Sequence, residues 1–251
     1  MRHVTTRRAR SITLLLAGAL VLSACGGGSD DEVAASAPTS TSVAPTSTAP
    51  AETSAVEPAT VESTTFSGPA VDIFGADQVQ AAYDLTTQFA ERNSFVIEHM
   101  DHNSVETPAD YEGPGVIDHM SHAMAEDYRA TVAGAFAGDA GANDRLKSIT
   151  YTSLIGGNSS FRAEGPAIVD HTIGDASAAF DETNGGRLAL TFTQHVNVRA
   201  NRDSEPVLIG LDKTMTFYLI ETAAGGQHTW LIDGLSAEWA GGQVVPDTSG
   251  S

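Results

Sequence analysis

The spacing of apolar side chains changes once along this chain, and that change limits its fold more than any other feature. In the first half, Leu85, Phe89, Val96 and Met100 recur on one face of a long periodic stretch, followed by Val116, Met120, Met124, Tyr128 and Ala135. In the second half the period falls to two, with Leu188, Leu190, Phe192, Val196 and Val198 alternating with polar residues, then Met215, Phe217 and Leu219. The first pattern is that of amphipathic helices and the second that of half-buried strands. Helices first and a long antiparallel meander after them predict an α+β fold.

The punctuation fits that order. Asp72 and Asp77 are suited to helix starts, and the first long helix is expected over 74–102. Thr107-Pro108 starts a short helical turn, with threonine as N-cap and proline at the first helical position, and Gly113-Pro114-Gly115 stops it. A second long helix is expected over 116–136, ended by Gly138 and Gly141. Strands are expected at 146–155, 161–173, 178–180, 187–199, 207–221 and 227–239. Their turns fall at Gly156-Gly157-Asn158, Asn184-Gly185-Gly186, Asn201 to Glu205 and Gly225-Gly226.

Ahead of this body the composition differs. Arg2, Arg7, Arg8 and Arg10 precede an apolar core from Ile12 to Leu22, too short to span a bilayer. The core ends in Leu22-Ser23-Ala24-Cys25, which holds the one cysteine of the chain. This segment resembles the signal peptide and lipobox of bacterial lipoproteins. The resemblance implies acylation of Cys25, with a diacylglyceryl group and an N-acyl chain, and anchorage at the outer side of the cell membrane. Arg7-Arg8 is similar to a twin-arginine export signal, but the residues after it depart from that pattern, so general secretion is expected.

With Cys25 lipidated, no thiol remains for a disulfide, a cysteine nucleophile or a thiolate metal site. The expected organisation is a signal peptide over 1–24, the lipidated cysteine and a tether over 25–68, the folded domain over 69–245 and a tail over 246–251. The tether is rich in Ser, Thr, Ala and Pro and lacks large apolar residues until Phe66. It is expected to be disordered, with a reach of about 35 Å for roughly 40 residues.

The whole chain has 32 acidic and 13 basic residues. Without the four leader arginines the remainder carries nine basic residues, a formal charge of −23. Such a body is repelled by nucleic acid and by anionic headgroups, and nucleic-acid binding is the class most firmly excluded.

Long helix, short helix, long helix and then long strands, closing on His228-Thr229-Trp230-Leu231-Ile232-Asp233-Gly234-Leu235, resemble the NTF2-like (cystatin-like) fold. The resemblance implies a curved antiparallel sheet closed into a cone, with Trp230 and alternate aliphatics facing its interior. Members of that family include ketosteroid isomerase-like and dehydratase-like enzymes, ligand-binding subunits and accessory domains. The fold therefore leaves function open. The polar face carrying Thr191, Thr193, His195 and Asn197 corresponds to the sheet face through which such domains commonly form homodimers.

One histidine pattern stands out. His-Met-x-His occurs twice, as His99 with His102 and as His119 with His122, and Glu126 extends the second pair. On one helix, residues three or four apart share a face. His119, His122 and Glu126 would then form a polar stripe able to hold zinc or copper. Against this, Met100 and Met120 already serve as core residues, and imidazoles beside an apolar face are common without a metal. For catalysis inside the cone, Asp170, Asp212, Asp233, Tyr83, Tyr151 and Tyr218 are available by type, but no motif fixes a role for any of them. His195 is expected to face outward, and His171 is undecided. The reading that follows is a non-catalytic envelope lipoprotein module that binds a small apolar ligand or an envelope protein. A copper- or zinc-binding lipoprotein and a ketosteroid isomerase-like or dehydratase-like enzyme are the alternatives.

Overall fold

Glycine at position 75 sets the first corner of the helical layer, with φ of 88°, a conformation that disfavours residues with a Cβ. It separates α1 (Pro69–Phe74) from α2 (Ala76–Asn93). The computed structural model of the chain describes residues 56–151, 155, 157–162, 165–224 and 227–248. The leader, Cys25 and the expected tether up to residue 55 lie outside these described residues. The fold is α+β among the described residues, with helices and a mixed sheet of six strands.

The first long helix expected over 74–102 is three elements. After α2, residues 94–96 leave the helical path, and α3 (Ile97–Met100) follows as a single turn. The departure has a local cause. Asn93 turns its amide back to the Phe89 carbonyl at 2.8 Å, and the Ser94 carbonyl accepts from the Tyr151 backbone N–H at 3.0 Å. Phe95 and Met100 thereby enter a different part of the core from Tyr83 and Phe89.

Thr107-Pro108 behaves as its sequence predicts. It starts α4 (Pro108–Tyr111) with a capping box, in which Asp110 Oδ2 accepts from the Thr107 N–H at 2.7 Å.

The second long helix is also divided. α5 (Pro114–Ile117) ends in a turn at 118–119 and a bridge residue at Met120, and α6 (His122–Phe136) starts afresh. Within the gap, the His119 carbonyl accepts from Ile232 N–H and Ser121 N–H donates to the Ile232 carbonyl, both at 2.8 Å. Ser121 then caps α6 through Met124 N–H at 3.2 Å and donates to Asp233 Oδ1 at 2.7 Å. A helix through 118–121 would forfeit all of these bonds. α7 (Ala140–Leu146) occupies the start of the expected strand 146–155, with Asp139 as its cap, and Gly141 lies inside it instead of ending α6.

The sheet contains β1 (Thr60–Val61), β2 (Ser159–Phe161), β3 (Ile168–Asp181), β4 (Arg187–Arg202), β5 (Glu205–Ala224) and β6 (Gln227–Pro246). Its order is β1-β3-β4-β5-β6, with β2 also paired to β4. β1 runs parallel to β3 and the remaining pairings are antiparallel. The folded body thus starts before residue 69, because Thr60 and Val61 already pair with Thr172 and Ile173. It also extends past 245, since Asp247 is buried against Arg162 and Arg199.

The brief strand expected at 178–180 is the end of β3, and the Asn184-Gly185-Gly186 turn joins β3 to β4 with φ of 85° and 86° at its two glycines. β3 shifts register against β4 near Asp170 and Asp175, both at positive φ, and β6 shifts against β5 twice. Such irregularities bend strands.

One face of the sheet supports the core. Leu188, Leu190, Phe192, Val196 and Val198 of β4 are buried, as are Met215, Phe217 and Leu219 of β5. α2 contributes to the same core: Tyr83 meets Phe192 edge-on at 6.0 Å and Phe89 meets Phe217 at 5.8 Å. Trp230 is buried and its indole N–H donates to the Gln78 carbonyl at 3.0 Å. The core falls into two clusters, one around Phe192 and Phe217 and one around Phe95, Val196 and Ile209. Buried polar residues mark the change from one to the other. His171, Gln194 and Lys213 stand at successive strands between residues of the two clusters.

Candidate functional site

A cavity of about 460 Å³ opens where the helical layer is most broken. Asn93 at the end of α2, His99 on α3, Tyr111 on α4, Val116 on α5 and Tyr128 on α6 line it, with Ile149 and Thr150 closing one side. The loop between α3 and α4 adds Ser104, Val105 and Glu106 at its rim. The two helix breaks create this space, since an unbroken pair of long helices would not present Asn93, His99, Val116 and Tyr128 to one hollow.

Glu106 organises the polar part. One carboxylate oxygen is engaged by His99 Nδ1, and the other accepts the Tyr111 hydroxyl at 2.5 Å. The His99 and Tyr111 rings stack with centroids 4.0 Å apart and planes 13° from parallel. His99 and Tyr111 are buried, and Glu106 is partly so. Burial, together with the Glu106 hydrogen bond and charge, pushes the Tyr111 phenol far above its usual range, so it stays protonated and donates. Tyr128 is also pushed up, chiefly by burial, and donates to the Tyr111 carbonyl at 3.0 Å. At the exposed rim, the hydrogen bonds from Thr107 lower the Asp110 carboxyl below the ordinary aspartate value. Thr150 is buried, and its hydroxyl has no hydrogen-bond partner among the described residues.

The five sequence-predicted metal residues occupy different settings. His99 is committed to Glu106 and Tyr111. His102 is exposed beyond α3, and its backbone N–H donates to the Ile155 carbonyl at 2.7 Å. His119 lies in the turn between α5 and α6, edge-on to Phe89 at 6.4 Å. His122 and Glu126 do share a face of α6, 3.3 Å apart and largely exposed. The three-residue stripe expected on one helix does not form, because His119 precedes the Ser121 cap. Among the described residues, no group of three or more His, Cys, Asp or Glu is placed to hold a metal ion. Cys25 lies outside the described residues.

The acids and tyrosines considered for a catalytic cone are also dispersed. Asp170 accepts from Asn197 at 2.9 Å, and Asp212 pairs with His195 at 2.6 Å on the outer face. Asp233 bonds Ser121 and Arg187. Tyr83 is buried in the core, Tyr151 lies against Trp239, and Tyr218 lies under the Arg187 guanidinium at 4.7 Å. None of them lines the cavity. His195 faces outward as expected, and His171 faces inward.

Sequence reasoning missed Glu106, Tyr111, Tyr128 and Thr150, which the cavity gathers from four separate segments. The capping box at Thr107 was the one local signal, because it fixes the turn that carries Glu106 and Tyr111. Comparison with profiles of known protein families, with curated proteins and with solved structures yields no match. Among the described residues, no helix is long and apolar enough to cross a membrane.

Proposed function

We propose that this protein is an exported, lipid-anchored module of the NTF2-like type that binds a small ligand without transforming it. The observation that carries the binding reading is the cavity beside Glu106. It falls in the size range of small-molecule sites, is partly apolar through Val96, Val116 and Ile149, and has a few fixed polar groups. Helices before a bulged antiparallel sheet, α2 against its buried face and Trp230 turned inward support the NTF2-like reading. The leader and Cys25 support the anchored address.

Native mass spectrometry of the mature protein from its own source tests both parts. The binding reading expects a retained small molecule that is lost when Val116, which lines the hollow, is replaced by Trp. An empty protein that also shows no small-molecule response at the His99 or Tyr111 rings overturns it. The anchor reading expects an acylated N-terminal cysteine and a Cys25→Ser variant that leaves the membrane fraction. An unmodified Cys25 with the leader still attached overturns that part alone.

A further inference from the structure

We propose that the loop between α3 and α4 is a lid, and that Val105 at its tip turns inward over the apolar part of a bound molecule. This rests on the proposed binding role of the same cavity and adds how its occupant is enclosed. Val105 lines the cavity and is nonetheless 97 % exposed, so the mouth of the hollow lies at this residue. Ser104 and Glu106 flank it on the same rim, and Val96, Val116 and Ile149 supply aliphatic lining. An apolar molecule resting on that lining keeps a wet side at the mouth while the loop stays open. Small-molecule sites bury most of their occupant's surface. Turning Val105 inward removes its own apolar surface and that of the occupant from water together. A lone exposed valine is ordinary on a protein surface. This one stands at a cavity mouth between two fixed points, and that placement gives it something to cover.

The fixed points are visible in the hydrogen bonds. On one side, Asp101 forms a bridge with Ile155, and His102 N–H donates to the Ile155 carbonyl at 2.7 Å. Asn103 and Ser104 are tied to the same aspartate. The Asn103 backbone N–H donates to Asp101 Oδ1 at 2.9 Å, and Ser104 N–H donates to the Asp101 carbonyl at 3.1 Å. On the other side, Glu106 is held by His99 and Tyr111, and Thr107 by its capping box with Asp110. Val105 lies between these anchors, and among the described residues its backbone has no hydrogen-bond partner. A crankshaft rotation of the two peptide units beside Val105 therefore swings the side chain without breaking either anchor. Glu106 keeps the far hinge in place over the cavity, because both of its partners are cavity residues.

The test uses the full-length chain in detergent with three neutral probes: 2-phenylethanol, indole and cyclohexanol. Binding is followed by calorimetry and by the His99 ring signals in NMR. Closure is read from two quantities at Val105: the access of a dissolved paramagnetic agent to its methyls, and the backbone φ given by its HN–Hα coupling. The expected result is a saturable His99 shift with at least one probe, with the Val105 methyls becoming protected and the coupling changing on saturation. Val105→Ser should release the probe about tenfold faster, the scale of one buried valine side chain, with an unchanged association rate. Because Val105 is exposed in the free protein, this variant leaves the core intact. A saturable His99 shift with an unchanged Val105 coupling overturns the lid and leaves the binding site standing. Equal release from the protein and from Val105→Ser does the same. No His99 shift with any of the three probes overturns the lid together with the binding role.

Discussion

The side-chain nitrogen of Lys213 lies 4.6 Å from the centre of the Trp239 ring, on the buried side of β5. It donates to the Ile149 carbonyl at 2.8 Å and lies 3.4 Å from Ser94 Oγ. Burial pushes this amine well below the ordinary lysine range. The unfolded chain takes up a proton at Lys213 that the native chain resists, so this residue's contribution to stability falls as pH drops below about 10.5.

Replacing Lys213 with Met removes that penalty at the cost of the hydrogen bonds to the Ile149 carbonyl and to Ser94 Oγ. The variant is expected to be more stable at neutral pH by about 1 kcal/mol, or about 2–4 °C in Tm. Its stability should also rise less steeply toward pH 10. Calorimetric melting of both chains from pH 7 to 10 checks the two effects, and a Tm lowered at pH 7 contradicts the account.

His171 gives a second pH effect, in a lower window. Burial depresses its pKa below the ordinary 6.5, while Glu91 partly opposes the shift. Above that value both folded and unfolded chains hold it neutral. As pH falls, the unfolded chain is protonated first and stability declines until the folded pKa is reached, at up to about 1.4 kcal/mol per pH unit. Urea unfolding of the protein and of His171→Phe between pH 7 and 5 should show a shallower decline for the variant. Parallel curves would remove His171 from the acid response.

Asp247 ties residues near the end of the chain to β4. Its buried carboxylate accepts from Arg199 Nε at 3.1 Å and is engaged by Arg162. Asp247→Asn should lower stability by about 3 kcal/mol, because two partly buried guanidinium groups lose their shared countercharge. Denaturant unfolding measures the change, and a loss within about 0.5 kcal/mol would show that these arginines find other partners readily.

Ser121→Ala tests the break before α6. It removes a cap acceptor for Met124 N–H and a donor to Asp233. A loss of about 1–2 kcal/mol is expected. Hydrogen exchange should localise the faster opening to Met124 and its neighbours, and unaltered protection there would argue against the cap.

The strands were the most legible part of the sequence. The alternation from Leu188 to Val198 depends on one buried face, and β4 keeps that face throughout. The same alternation places Gln194 and Lys213 inward, although their polarity concealed them as core residues. The helices were legible in type and misjudged in length. Periodicity cannot register that His119 and Ser121 spend their backbone groups on Ile232, more than a hundred residues away. The cavity was hidden for the same reason, since Glu106, Tyr128 and Thr150 meet through tertiary structure and no short motif joins them.

The pairing of Thr60 and Val61 beside β3 alters the mechanics of any attachment upstream. A load arriving through residue 56 first meets a two-residue ribbon seated by Glu57 N–H on the Ile168 carbonyl and Glu62 N–H on that of Ile173. That ribbon can peel away while β3 to β6 keep their own ladders. Pulling on such an attachment would therefore be met by these few backbone bonds before it reached α1.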